Sequence, residues 1–357
     1  MQIGSGQTRK SLRVFGPGAK APLLALALAM ALAGCASAPA ATVAVARPVS
    51  TTASALSTAP ITKGQKIVMA THSFNVFVGP RGPNARNPDA PASPGPLAAL
   101  AAERGKAGHD TLAVQMIGGS TPMQHWNQGD GDDARNIAKA ALVKGSIDVL
   151  TMSPNATMPE PGIDLFGDLV IKSNPNARIM VQNSWSAWDG KGSTKSVGGS
   201  GAPAGVTNED HDKATLAEIE GWIADLDAAN GYLTRMRAQL RGVNQRAGRE
   251  IAYVVPSATS VYTLRKEIIQ GAVPGVAKQS GIFRDAMGHP SQPLANVVTY
   301  TWYAAMYRES PVGLKALIDA SDPTSAARER LLQQIAWNAV VAEPMSGVTG
   351  KPVQVGG

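Results

Sequence analysis

Short apolar runs alternate with longer amphipathic stretches from about residue 66 onward. The runs are rich in β-branched residues and bounded by turn formers, which is typical of buried strands. Strands are predicted at residues 66–71, 111–117, 147–152, 178–183 and 250–256. In the longest stretch between them, at 216–246, apolar residues recur at every third or fourth position, the spacing of one buried helical face. Helices are predicted at 97–104, 134–143, 163–172, 216–246, 261–270, 297–307 and 326–341.

This alternation predicts an α/β protein: a three-layer α/β/α domain of flavodoxin-like type with a mostly parallel five-stranded sheet. Helices cover both faces of such a sheet, so its strands are apolar throughout. The domain is predicted to span 63–345, with a loop insertion near 190–215 where glycine, serine and lysine predominate. Functional groups gather beyond the carboxyl ends of parallel strands. The residues that follow each strand are therefore the candidates for chemistry.

Four residue types in a fixed order follow the predicted strands. Ser73 comes after the first strand, Gly118 and Gly119 after the second, Asn155 after the third, and His289 lies far downstream. An ester hydrolase needs a serine nucleophile beside a base. It also needs donors for the oxyanion, such as backbone N–H groups and a side-chain amide. The order predicts a Ser73 nucleophile, a His289 base, and an oxyanion hole of Ser73, Asn155 and one glycine, with Gly119 preferred over Gly118.

These blocks resemble those of the SGNH (GDSL-like) hydrolase superfamily, whose name records serine, glycine, asparagine and histidine. The resemblance covers about residues 66–311 and implies a serine esterase that needs no cofactor. Two blocks depart from the family pattern, because ATHS ending at Ser73 and SPN ending at Asn155 keep only their last residue. Asp285 precedes His289 by four residues, where the family has Asp-x-x-His. We expect Asp285 to orient His289, a role that a backbone carbonyl fills in several similar enzymes.

The other histidines are weaker candidates for the base. His125 and Trp126 follow the glycine block and are predicted to line the pocket, whereas His72 is expected to point away from it. His109 and His211 lie in polar stretches that we expect to be exposed. The five histidines lack metal-ligand spacing, so no metal site is predicted.

Sequence motifs of other enzyme classes are missing. There is no Gly-x-Ser-x-Gly elbow, which disfavours a standard α/β-hydrolase. No phosphate-binding glycine loop follows a predicted strand, which removes the nucleotide-binding classes. The glycine-rich run at 196–201 has no strand directly before it and is interpreted as a flexible loop.

The N-terminus has the pattern of an export signal over residues 1–34. Basic residues without acidic ones precede an apolar run at 21–33, which is too short to span a bilayer. The run ends in LAGC, which resembles the lipobox of bacterial lipoproteins, in which the cysteine (here Cys35) carries the lipid. Residues 35–62 are predicted to be a flexible Ala/Pro/Ser/Thr tether. The alanine after Cys35 favours the outer membrane by the same resemblance, so we expect an exported protein anchored in the envelope.

The net charge is smaller when the residues of the predicted export signal are left out of the count. The sequence has 33 basic and 26 acidic residues, a formal charge of +7 that would suit a nucleic-acid partner. Four of the basic residues lie in the first 20 positions, so the remaining chain is near +3 and no nucleic acid is predicted. A lone cysteine excludes a disulfide framework.

The sequence leaves three functions open. The first is hydrolysis of small acyl esters, such as those of an acetylated carbohydrate or a lipid. The departures from the family blocks are the argument for a non-catalytic envelope binding protein on the same fold. An O-acyltransferase would use the same serine with a different acceptor.

Overall fold

The computed structural model describes residues 58–82, 91–129, 131–132, 135–155, 157–190 and 203–356. The predicted signal, Cys35 and most of the predicted tether lie outside the described residues. Within these ranges, no helix combines the length and the apolar character needed to cross a bilayer.

Five parallel strands form a sheet in the order β2-β1-β3-β4-β5. Strands β3 and β5 are buried at every position, because helices cover both faces. Strand β2 lies at the edge and is mostly half-buried or exposed. Each strand overlaps a predicted one, and the predicted sheet is confirmed. The bounds are β1 (Lys66–Thr71), β2 (Asp110–Met116), β3 (Val149–Met152), β4 (Arg178–Gln182) and β5 (Ala252–Val255).

Helices pack on both faces of this sheet. They are α1 (Pro96–Glu103), α2 (Pro122–Trp126), α3 (Ile137–Lys144), α4 (Pro161–Ser173), α5 (Leu216–Asp227), α6 (Tyr232–Ala247), α7 (Ser257–Ile269), α8 (Gln292–Tyr307) and α9 (Ser325–Ala342). One core lies between the sheet and α3, α4 and α6. The other lies between the sheet and α1, α7 and α8, with α9 outside α8. The predicted three-layer α/β/α fold is confirmed.

The helix predicted over 216–246 is two helices, α5 and α6, separated by residues 228–231. Gly231 approaches the backbone so closely that a Cβ would lie 2.3 Å from the Asp225 carbonyl oxygen. Its N–H donates to the Ala228 carbonyl at 2.7 Å, which closes the turn. Apolar residues keep their helical spacing across the break, so periodicity alone predicted one helix.

Helix α8 is buried from Leu294 to Tyr307, because the sheet lies on one side of it and α9 on the other. Such a helix is apolar around its whole circumference. Polar groups of this helix bond inside the core: Trp302 Nε1 donates to the Gln182 side chain at 2.7 Å, and the Thr301 hydroxyl donates to the Val297 carbonyl at 2.8 Å. The helix begins three residues after His289 and fixes one end of the loop that carries it.

The described chain packs beyond both limits of the predicted domain. The Ile61 N–H donates to the Tyr307 carbonyl at 2.8 Å, at the amino edge of the sheet. The segment after α9 packs back on this helix: Val348 is buried, and the Lys351 carbonyl accepts a hydrogen bond from Trp337 Nε1 on α9 at 3.0 Å. Segments outside 63–345 therefore contribute to the same core.

Candidate active site

Ser73 lies two residues beyond the end of β1, which pairs with β2 on one side and β3 on the other. The chain goes from β1 to β2 and then crosses to β3, which makes this point the topological switch of the sheet. Ligands of α/β proteins bind at such a point. Gly118, Gly119 and Asn155 follow the two neighbouring strands, so three of the predicted blocks meet at one edge of the sheet.

Ser73, His289 and Asp285 form a continuous chain of hydrogen bonds. His289 Nε2 lies 2.9 Å from Ser73 Oγ, and His289 Nδ1 lies 2.7 Å from Asp285 Oδ2. A carboxylate only accepts hydrogen bonds, so the proton of a neutral imidazole lies on Nδ1 and the lone pair of Nε2 faces the serine. This is the arrangement in which a histidine takes the proton of a serine hydroxyl.

The electrostatics of Asp285 suit an orienting carboxylate. Burial alone would raise the pKa of this carboxyl, but hydrogen bonds from the ring and the backbone N–H of His289 outweigh it and lower the pKa. Asp285 is therefore ionised at neutral pH and stabilises positive charge on His289.

A tight hairpin explains how an aspartate four residues before the histidine reaches its ring. Phe283 and Pro290 pair across the hairpin, and the Arg284 N–H donates to the His289 carbonyl at 2.9 Å. Asp285 Oδ1 accepts the His289 N–H at 3.2 Å and leaves Oδ2 for the imidazole. The extra residue relative to Asp-x-x-His is absorbed by this turn.

Aromatic rings hold the imidazole in place. Phe74, the residue after the serine, meets the edge of His289 at 5.5 Å between ring centroids and 89° between planes. Trp185 stacks on the Phe74 ring at 4.6 Å between centroids and donates from Nε1 to the Gly288 carbonyl at 3.0 Å. Gly288 has φ +96°, and a Cβ there would lie 3.4 Å from Trp185 Nε1, so the hairpin needs glycine.

A buried charged network supports the hairpin from behind. Arg265 makes two bonds to Asp189, at 2.6 and 3.0 Å, and Asp189 also binds His211 Nδ1 at 3.0 Å. His211 Nε2 lies 3.4 Å from the Asp285 carbonyl oxygen. The expectation that His211 is exposed was wrong: it is buried, because the part of the insertion that contains it docks on this hairpin. Asp189 could not be found from local sequence pattern, since its partners Arg265 and His211 lie 76 and 22 residues away along the chain.

The predicted oxyanion donors lie beside one another. Asn155 Nδ2 is 3.4 Å from the Gly119 carbonyl oxygen, which places the amide at the glycine turn. Tyr232 donates to the Asn155 carbonyl at 3.0 Å and fixes the loop after β3. In the described part of the chain, the N–H groups of Ser73, Gly118 and Gly119 have no acceptor, so each can donate to a ligand oxygen.

The structure does not place His125 and Trp126 at the pocket, where the sequence predicted them. His125 is fully buried and lies 2.8 Å from Ser120 Oγ. Trp126 packs edge-on against Phe166 and under Lys139 Nζ, because α2 turns it towards α4. His125 is thus part of the packing beneath the turn, and Trp126 packs against α3 and α4.

His72 was expected to point away from the pocket, whereas His109 was expected to be exposed and is not. His72 is buried and its Nδ1 accepts the Phe74 N–H at 3.2 Å, which supports the backbone on either side of Ser73. His109 is half-buried and its Nδ1 contacts the Tyr307 hydroxyl. Burial lowers the pKa of each to about 4, so both are neutral at pH 7. Among the described residues, no group of three or more His, Cys, Asp or Glu side chains is arranged to hold a metal ion.

Three solved structures are similar to this chain. A DUF4886 family protein from Bacteroides uniformis aligns with 13% identity over 78% of this chain and 95% of its own, at a TM-score of 0.43. A candidate SGNH hydrolase from Slackia heliotrinireducens aligns with 13% identity over 68% of this chain and 100% of its own, at 0.36. A candidate GDSL-like lipase from Parabacteroides merdae aligns with 11% identity over 68% and 95%, at 0.37.

The last two carry the superfamily names that the four sequence blocks suggested. No protein-family model and no curated protein sequence matches the chain. All three TM-scores are below 0.5, so the functional interpretation rests on the geometry of the site itself.

Proposed function

We propose that this protein is a serine ester hydrolase of SGNH type that acts on small acyl esters. The observation that carries the proposal is a pair of linked hydrogen bonds. One joins Ser73 Oγ to His289 Nε2 at 2.9 Å, and the other joins His289 Nδ1 to Asp285 Oδ2 at 2.7 Å. Its position at the switch point of a parallel sheet supports the proposal, because that edge is open to ligands. An acetylated carbohydrate or a lipid ester is the proposed substrate class.

The proposed reaction has two halves. Ser73 Oγ attacks the ester carbonyl carbon while His289 Nε2 takes the hydroxyl proton and then delivers it to the leaving alcohol. Water attacks the resulting acyl-serine with His289 again as base, which releases the acid and restores the serine. Asp285 stabilises the imidazolium in both halves. The N–H groups of Ser73 and Gly119 and the Asn155 amide donate to the oxyanion, where one donor is worth about 10²–10³ in rate.

Hydrolysis of p-nitrophenyl acetate by the purified protein tests the proposal. Ser73→Ala should lower kcat by about 10⁴-fold or more, leaving only the residual effect of the oxyanion donors and binding. Ser184→Ala, a serine two residues beyond the end of β4, should keep the wild-type rate. Equal rates for wild type and Ser73→Ala would overturn the esterase. Retained binding to cell-wall glycan in a protein that hydrolyses no ester would favour the envelope binding protein.

We further propose that the protein is exported and anchored through a lipid on Cys35, on the basis of the basic segment, the short apolar run and the LAGC sequence. Growth with an alkyne-labelled fatty acid should label the wild-type protein, and Cys35→Ser should remove the label. Equal labelling of both proteins would contradict a lipid on this cysteine.

A further inference from the structure

A second serine–histidine pair lies beneath the glycine turn. His125 Nε2 is 2.8 Å from Ser120 Oγ, as close as the pair at the active site, and both residues are fully buried. Substrate cannot reach them, so the pair is not a second nucleophile. The pair can act only through the backbone that its hydrogen bonds hold in place.

The direction of each hydrogen bond follows from Gln115. Its Oε1 accepts the Ala138 N–H at 2.9 Å and its Nε2 donates to the His125 carbonyl at 2.8 Å, which fixes the orientation of the amide. The same Nε2 faces His125 Nδ1 at 3.3 Å, so Nδ1 carries a lone pair. The proton of the neutral imidazole is then on Nε2, and His125 donates to Ser120.

Ser120 in turn has one proton to give, and its Oγ lies 2.9 Å from the Ile117 carbonyl oxygen. The bond spans Gly118 and Gly119, which are exposed and have no heavy atom within 4 Å of where a Cβ would be. No side chain fills the space where a Cβ of either glycine would lie, and Asn155 Nδ2 reaches the Gly119 carbonyl oxygen only at 3.4 Å. The shorter Ser120 bond closes the turn from beneath and restrains it.

We propose that Gln115, His125 and Ser120 are positioning residues that hold the Gly118-Gly119 turn with its N–H directed at the oxyanion. This rests on the proposed esterase function. Oxyanion donors act by being fixed before the reaction, so a looser turn loses stabilisation of the transition state while ground-state binding is little changed.

Steady-state kinetics with p-nitrophenyl acetate separates this role from simple packing. Ser120→Ala and His125→Leu should lower kcat by about 10- to 100-fold, part of the value of one oxyanion donor, with KM within about threefold. Inhibition by a phenyl trifluoromethyl ketone, which forms a tetrahedral adduct with an oxyanion, should weaken by a similar factor. His125→Gln can still donate to Ser120 and should recover most of kcat.

Ser153→Ala is the matched control, because Ser153 is equally buried at the end of β3 and its hydroxyl has no partner among the described residues. It should keep wild-type kcat. Full kcat and full ketone inhibition in folded Ser120→Ala and His125→Leu would overturn the proposal, as would a loss of kcat in Ser153→Ala equal to theirs.

The tautomer of His125 tests the hydrogen-bond chain without any substitution. Nitrogen-15 NMR of the wild-type protein should find the proton on Nε2, and a proton on Nδ1 would overturn the proposal. If wild type and Ser73→Ala hydrolyse the ester equally slowly, the proposed esterase function is wrong. If the wild type is active but its His125 carries the proton on Nδ1, the esterase function holds and only the positioning role of His125 is wrong.

Discussion

At the scale of single residues, the site depends on which nitrogen of His289 carries its proton. Asp285 faces Nδ1 at 2.7 Å, and the hairpin supplies the turn that brings it there. The His289 backbone N–H and ring both donate to the same carboxylate, which ties the position of the residue to the position of its ring. A substitution at Asp285 therefore affects the tautomer more than the fold.

Asp285→Asn should lower kcat by about 10²–10⁴-fold, because an amide no longer selects the Nδ1–H tautomer or stabilises the imidazolium. Steady-state kinetics measures the effect. The control is Arg284→Gln, an exposed neighbour in the same hairpin, which should change kcat by less than about threefold. An Asp285→Asn enzyme as fast as the wild type would mean that a backbone carbonyl orients His289 instead.

At the scale of elements, the catalytic hairpin is held by parts of the chain that are far away in sequence. Arg265 on α7 and Asp189 after β4 form a buried ion pair, and His211 links it to the hairpin. Their charges are removed from water and compensate one another. Loss of one partner is costly, because the other is left buried and unpaired.

Asp189→Asn should lower the free energy of unfolding by about 3–5 kcal/mol, the usual cost of breaking a buried pair. Urea unfolding followed by circular dichroism measures it. Asp168→Asn removes the partner of a surface pair with Arg246, which still binds Asp164, and should cost less than about 1 kcal/mol. Similar losses for the two variants would contradict a special role for the buried pair.

The elements could be predicted from the sequence where local pattern decides them. Buried parallel strands are marked by apolar runs, and the observed strand bounds lie within two residues of the predicted ones. Ser73 and His289 could be found because Ser73 follows the first strand, His289 precedes a helix, and both match residues of the family pattern. The residues that support the site could not be predicted from the sequence. Phe74 and Trp185 come into contact only in the folded protein, and the partners of His211 are distant along the chain, so no local pattern indicates them.

At the scale of the whole molecule, buried neutral histidines link stability to pH. Burial lowers the pKa of His72, His109 and His125 to about 4 from an ordinary value near 6.5. Between these values the unfolded chain binds a proton at each histidine and the folded chain does not. The free energy of unfolding is therefore not reduced by these histidines above about pH 6.5. As the pH falls from 6.5 towards 4, protonation of the unfolded chain lowers it by about 3 kcal/mol for each residue.

His109→Gln tests this linkage away from the active site. Around pH 5, the free energy of unfolding of the wild type should rise more steeply with pH than that of the variant, by about 1.4 kcal/mol per pH unit, the slope of one proton. Urea titrations at several pH values between 4 and 7 provide both slopes. Equal slopes would mean that His109 is protonated alike in the folded and unfolded chains.

The serine at which a fluorophosphonate reacts identifies the nucleophile of this protein directly. Mass spectrometry of the labelled wild-type protein should find one adduct, on the peptide that contains Ser73, because only an activated serine attacks phosphorus at a useful rate. His289→Ala should lose the adduct while remaining folded, and Ser120 should stay unlabelled. A folded wild-type protein that is not labelled, or is labelled elsewhere, would contradict the assignment of Ser73 as the nucleophile.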